Sequence, residues 1–288
     1  MVRFLAGGGG TGYDDAMNVH HAPVGIWDSG VGGLSVLQEL QALLPHEEML
    51  YLADGRYCPY GGRSPGEIID RSLAMTRAVV DRGAKAVVIA CNTATTIAIT
   101  RVREAFPAVP IVGMVPAVKP AAAATRSGRI GVLATPRTAT GEVLAALIRQ
   151  HCPGVTVDTV SAPGLVELVE AGQTSGPEVD AALRPLLAPL RACGVDTLVL
   201  GCTHYPFLRD AISEAIGPHV VLVDSGAAVA RRTREVLAQH DLLAGASPSG
   251  GTLSLQTTGA TERFLDVTSR LLALPVVPAA EVTAAIRR

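Results

Sequence analysis

Aromatic residues are scarce in this 288-residue chain: they make up 3% of it, with Trp27 the single tryptophan. Single-stranded nucleic acid is commonly held on aromatic stacking platforms, so the composition argues against that class of function. Charge of one sign is lacking too. Twenty-four Lys and Arg against 26 Asp and Glu leave a formal charge of −2, with no electrostatic footprint for direct nucleic-acid binding or an anionic membrane. No apolar run reaches the roughly 18–20 residues that span a bilayer. Met1 to Ala6 is too short for the core of a secretory signal, and glycines and polar residues follow it. A cytoplasmic protein without a membrane partner is expected.

Cysteine is sparse and odd in number. The five residues contain no C-x-x-C pair, which points to free thiols in a reducing compartment rather than to a disulfide framework or a local redox pair. What the chain has in quantity is apolar side chain, 48% of its residues. Its length exceeds the usual size of one core, so two domains or one large α/β unit are expected. Residues 1–22 read as a flexible extension. Gly7, Gly9 and Gly12 formally satisfy the dinucleotide pattern G-x-G-x-x-G, but that motif must open a helix, and Tyr13 to Pro23 is a poor one.

From Val24 onward, strands alternate with helices, the pattern of a largely parallel sheet. Val24–Trp27 reads as a strand ending at Asp28-Ser29-Gly30-Val31-Gly32-Gly33, followed by a helix with leucines at 34, 37, 40 and 44. Glu48–Leu52 is a second strand. Ser64-Pro65-Gly66-Glu67 carries an N-cap serine, a proline at N1 and a capping-box glutamate, starting a helix that runs to Gly83. Strand Ala86–Ala90 delivers Cys91. A second unit begins with strand Arg129–Leu133 and Thr135-Pro136-Arg137-Thr138, and strand Asp196–Leu200 delivers Cys202, with Pro206 near N1 of the helix after it. Pro185 and Pro189 predict a kink or break in helix 177–193. Val220–Val223 reads as a strand, and 227–238 and 259–271 as helices.

The two cysteines have matching settings, Ala-Val-Val-Ile-Ala-Cys91-Asn-Thr and Thr-Leu-Val-Leu-Gly-Cys202-Thr-His. Asp28 precedes Cys91 by 63 positions and Thr135 precedes Cys202 by 67, which suggests a duplicated unit with one cysteine from each copy. Ligands of open α/β sheets bind at the carboxyl ends of strands, and a following helix start favours a thiolate there. A zinc site using Cys91, Cys202 and His204 lacks the usual spacing, so no metal is expected. A single nucleophile with a base leaves the second cysteine unexplained. Cys152 and Cys193 read as inert, while the loop of Cys58 could line a site. Two opposed thiols suit acid–base work: one removes a proton from a stereocentre and the other returns one on the opposite face. No cofactor is then required. Ser29, Asn92, Thr93, Thr203 and helix-start N–H groups supply donors for the developing charge.

Asp28-Ser29-Gly-Val-Gly-Gly-Leu-Ser, Pro59-Tyr60-Gly61, Ala90-Cys91-Asn92-Thr93-Ala94 and Gly201-Cys202-Thr203-His204-Tyr205-Pro206 resemble, in order, the signatures of the glutamate racemases of the aspartate/glutamate racemase family. The resemblance covers about residues 24–226. It implies a cofactor-independent, cytoplasmic two-base racemase that supplies D-glutamate for peptidoglycan. Cys91 would act on D-glutamate and Cys202 on L-glutamate, assisted by Asp28 and His204. Ser29, Tyr60, Gly61, Asn92, Thr93, Thr135, Thr138 and Thr203 would hold the substrate's carboxylates and amino group. An acidic residue implicated in some members best matches Glu170, with Glu167 a neighbouring competitor. The chain departs from the pattern at Ala134, at Ala162-Pro163 and at Ala227-Ala228. A homodimer is implied; contact with DNA gyrase, reported for some members, has no support in this sequence. An aspartate racemase and a catalytically silent binding protein are the rival readings.

The expected architecture is α/β, with two pseudo-symmetric domains, mainly parallel central sheets and an active site in the cleft between them. The first domain is placed at 23–117 plus 225–288, and the second at 118–224.

Overall fold

A computed structural model describes residues 19–248 and 250–272. The glycine-rich segment and most of the expected N-terminal extension lie outside the described residues, as does the end of the tail. Val19–His21 forms a 3₁₀ turn.

The apolar runs become nine parallel strands among the described residues: β1 (Val24–Asp28), β2 (Met49–Ala53), β3 (Ala86–Ile89), β4 (Ile111–Val112), β5 (Arg129–Ala134), β6 (Thr156–Ser161), β7 (Thr197–Gly201), β8 (Val221–Val223) and β9 (Leu253–Thr257). They form two sheets, ordered β4-β3-β1-β2-β9 and β6-β5-β7-β8. The duplication suggested by the cysteine frames is visible in the pairing. β1 lies between β2 and β3 as β5 lies between β6 and β7. All five residues of β1, of β2 and of β7 are buried, as expected for parallel strands covered on both faces. β9, from the far end of the chain, pairs in parallel with β2 and so extends the Cys91 sheet.

The helices cover these sheets through one apolar face each. The helix Pro65–Val80 opens on the expected capping box, with Ser64 Oγ accepting from the Glu67 N–H and Glu67 reaching back to the Ser64 N–H at 3.0 Å. Two expectations need correction. The expected kink or break is not a break: Pro177–Ala192 runs as one helix through Pro185 and Pro189. The prolines are four residues apart on its exposed face, so the carbonyls they leave unpaired meet water, while Val179, Leu183, Leu187 and Leu190 are buried on the other. Pro206 sits in a 3₁₀ turn, Tyr205–Leu208, and the α-helix starts only at Arg209. No described helix is long and apolar enough to cross a membrane.

Candidate active site

Adjacency of β1 and β3 brings Asp28 to Cys91. Cys91 is the N-cap of helix Asn92–Ala105, its sulfur accepting the Ala94 N–H at 3.5 Å, and its thiol lies 3.9 Å from Ser29 Oγ. Asp28 Oδ2 accepts the Gly33 N–H at 2.6 Å and the Thr203 hydroxyl at 3.2 Å, the latter reaching across from the other sheet. Burial pushes the Asp28 carboxyl above its ordinary value, against the pull of the His204 charge and of hydrogen bonds from Ser29, Cys91 and Gly33. Burial also drives the Cys91 thiol well above its ordinary value, and the Asp28 charge adds to the rise while the Ala94 N–H opposes it. The helix start was expected to favour a thiolate here; desolvation outweighs it. Cys91 therefore rests with its proton.

Cys202 follows β7 with no helix of its own immediately after it. Its sulfur lies 3.6 Å from His204 Nδ1, and His204 Nε2 lies 2.6 Å from Glu170 Oε1. The same Glu170 oxygen accepts the Val31 N–H at 2.7 Å. Burial works against charge on His204, but hydrogen bonds with Cys202, Cys58 and Glu170 outweigh it and hold the imidazole well above its ordinary range. Burial would raise Glu170; His204 and the Val31 N–H bring it below its ordinary value instead. The pair is an imidazolium and a carboxylate at neutral pH. Gly32 makes the approach possible, since a Cβ there would lie 2.3 Å from His204 Nδ1.

Between the two thiols the walls are polar. Thr93 Oγ1 lies 3.0 Å from Thr135 Oγ1 and 3.3 Å from Thr138 Oγ1, joining the sheets. Thr135 also caps the short helix Pro136–Ala139, so capping and site-lining coincide in one hydroxyl. Asn92 is buried, yet its side-chain nitrogen and oxygen both lack a hydrogen-bond partner. A buried amide without a partner is costly, which marks a place where a polar ligand would be gained.

Ser29, Tyr60, Gly61, Cys91, Asn92, Thr93, Thr135, Cys202, Thr203 and His204 line one cavity with Pro59 and Val166. Its free space is only about 10 Å³, room for about one water, so admitting a larger molecule requires its walls to part. Thr138 stands behind Thr93 and Thr135 rather than on the cavity wall. Tyr60 is present, but its hydroxyl donates to Asp54 Oδ2 at 2.6 Å, leaving its ring and backbone at the wall. Glu170, not Glu167, touches the histidine; Glu167 is exposed and lines a neighbouring cavity. Trp27 is fully buried in the core and donates to Thr76 at 3.1 Å. Sequence reading left Cys58 uncertain and passed over Val31 and Val166. Cys58, two residues before Tyr60, brings its sulfur within 4.8 Å of His204 and Glu170, and burial pushes its thiol up to about 12. Its place next to the Pro-Tyr-Gly segment was the signal available.

The family model described as Asp/Glu/Hydantoin racemase matches residues 33–233. A glutamate racemase of Ectopseudomonas mendocina (strain ymp) is 52% identical over 228 residues, which is 79% of this chain and 87% of the relative. Among solved structures, a glutamate racemase isoform from Bacillus anthracis superposes with TM-score 0.81 at 29% identity, covering 92% of this chain and 98% of that one. The Escherichia coli glutamate racemase, solved with L-glutamate and the activator UDP-MurNAc-ala, gives TM-score 0.76 at 35% identity, covering 87% of this chain and 95% of that one.

Proposed function

The chain belongs to the Asp/Glu/Hydantoin racemase family, and from that premise we propose that it interconverts L- and D-glutamate through Cys91 and Cys202. The observation that carries the reading is the facing of two thiols from duplicated strand ends into one buried cavity whose Asn92 amide has no protein partner. The names of relatives about half identical to this chain supply the substrate.

With L-glutamate bound, the Cys202 sulfur takes the Cα proton and the Cys91 thiol delivers its own to the opposite face. The electron pair left on Cα spreads into the carboxylate, where Asn92, Ser29, Thr203 and backbone N–H groups stabilise it. Cys202 then carries the proton and Cys91 does not, so the enzyme is set for the D-enantiomer. Asp28 beside Cys91 and His204 beside Cys202 hold or return these protons as the sulfurs exchange states. No cofactor takes part. Placing the domains at 23–117 with 225–288 and at 118–224 is supported by sheet membership, each sheet having one of the two cysteines just past the end of a strand. In this reading the enzyme works in the cytoplasm as a homodimer and its D-glutamate enters peptidoglycan.

The test is optical rotation with L-glutamate, D-glutamate and L-aspartate supplied separately and no cofactor added. Both glutamate solutions should decay to zero rotation and aspartate should not. Unchanged glutamate rotation, or faster loss with aspartate, would overturn the reading.

A further inference from the structure

Behind His204 lies a second cluster of reactive side chains. The ring turns Nδ1 to Cys202, while its Nε2 face meets Glu170. Cys58, Glu170 and His204 each offer one ligand atom, and these atoms all lie within 4.8 Å of one another. Thiol, carboxylate and imidazole are the donors zinc takes, with bonds of about 2.0–2.3 Å in a tetrahedron whose donor separations are about 3.3–3.8 Å. With all three atoms within 4.8 Å of one another, reaching that geometry takes shifts of about 1 Å. We infer that Cys58, Glu170 and His204 form an inhibitory site for a thiophilic divalent cation, zinc being the reference ion.

Three features around the trio suit a metal site. Glu170 Oε1 is oriented by the Val31 N–H, and the loop bearing Val31 is fixed where the Tyr51 hydroxyl donates to the Gly30 carbonyl at 2.6 Å. Such outer-shell bonds orient metal ligands. Gly30 is what lets two ligands converge: a Cβ there would lie 1.9 Å from Glu170 Oε1 and 2.7 Å from Cys58 Sγ. A separate cavity of about 310 Å³, lined by Cys58, Glu170, Gly30 and Val31, opens onto two of the three, Cys58 and Glu170. A cation and its fourth ligand, a water, enter by that route without passing between Cys91 and Cys202. Sequence spacing gave no sign of the site because residues 58, 170 and 204 meet only in the fold.

Binding has a defined effect on the histidine. The Cys58 thiol and the Nε2 position release their protons to solvent, and sulfur and nitrogen bond the metal. As an imidazolium, His204 can give its Nδ1 proton to Cys202 and remain a neutral imidazole; with the metal on Nε2 the Nδ1 proton is the last on the ring, so it is held and proton exchange with Cys202 stops. The effect on turnover rests on the proposed racemase reading; the binding does not.

The full chain is titrated with zinc against a chromogenic chelator, in a phosphine reductant, and separately with cobalt, whose thiolate charge-transfer absorption reports a sulfur ligand. One equivalent of zinc should bind, and cobalt should show that absorption. Cys58→Ser and Glu170→Gln should each weaken zinc by more than about 100-fold, because losing even an outer-shell partner costs about 10–100-fold. Cys91→Ala should bind zinc as tightly as the intact chain. Zinc should also slow racemisation reversibly, with chelator restoring it. Absence of stoichiometric binding, a Cys58→Ser affinity equal to that of the intact chain, or loss of binding in Cys91→Ala would each overturn the inference. The cobalt spectrum of the intact chain, retained in Cys91→Ala, decides the matter even if Cys58→Ser folds poorly.

Discussion

The two halves of the molecule present the same group from the same kind of strand end and surround it differently. On the β3 side, Cys91 caps a 14-residue helix, beside a buried carboxyl and a serine. On the β7 side, Cys202 has a 3₁₀ turn after it and a histidine–glutamate pair behind it. The difference teaches that a helix start does not by itself make a thiolate. At Cys91 the sulfur is so buried that desolvation and the Asp28 charge dominate, and the thiol keeps its proton. At Cys202 the sulfur is partnered by an imidazolium instead. Two chemically identical bases thus rest in unlike surroundings, which suits a pair that must begin each turnover with one proton between them.

Removing either sulfur erases the comparison and should have the largest effect. Cys91→Ser and Cys202→Ser should each lower racemisation by about 10²–10⁴-fold, the usual contribution of a positioned proton-transfer group. Thermal unfolding should move little, because serine preserves the shape of the site. If either variant races at the native rate, the halves are not both needed.

Altering the partners sharpens the contrast. Asp28→Asn and His204→Asn should cost less than losing a sulfur, on the order of 10-fold, since they act through the thiols rather than on Cα. The equilibrium constant of a racemisation is one, so kcat/KM must fall equally in both directions. The asymmetry belongs in the isotope effects. Asp28→Asn should raise the Cα-deuterium effect chiefly with D-glutamate, where Cys91 abstracts, and His204→Asn chiefly with L-glutamate. A reversed pattern would exchange the two assignments.

Stability should report the His204–Glu170 pair through pH. The His204 value is raised on folding, so its contribution is full below the ordinary 6.5 and is lost as pH rises through the higher folded value. The Glu170 value is lowered, so its contribution is full above the ordinary 4.5 and is lost as pH falls through the lower folded value. Between those ordinary values the pair stabilises most. In Glu170→Gln, melting temperature against pH should be flatter on both sides than in the parent; a profile of unchanged shape would remove the pair's role. The smallest effect is expected at Thr138, which stands behind the cavity wall: Thr138→Val should raise KM a few-fold while kcat holds, measured by optical rotation.

Much of this was legible in the chain before any coordinates. Short branched runs marked β1, β3, β5 and β7, because strands buried on both faces have no polar alternation to hide them. The capping box at Ser64 was readable because its interactions are local. β6, Thr-Val-Asp-Thr-Val-Ser, carries no apolar run and lies at a sheet edge with much of its surface exposed. The helix at 177–192 defeated a local rule because solvent tolerates what a core would not. In the site, cysteines and their immediate neighbours were readable from frame and motif. The choice of Glu170 over Glu167, and the approach of Cys58 to His204, needed the fold. The first depends on a helix meeting a loop within one half and the second on loops of the two halves meeting, and no sequence spacing encodes either.

The most direct measurement is deuterium placement at early conversion in D₂O, with each glutamate enantiomer as the starting material. Two thiols on opposite faces predict deuterium at Cα of the product and almost none in the recovered substrate, in both directions. Recovered substrate that gains deuterium as fast as product would mean one base serving both faces, and would contradict the account.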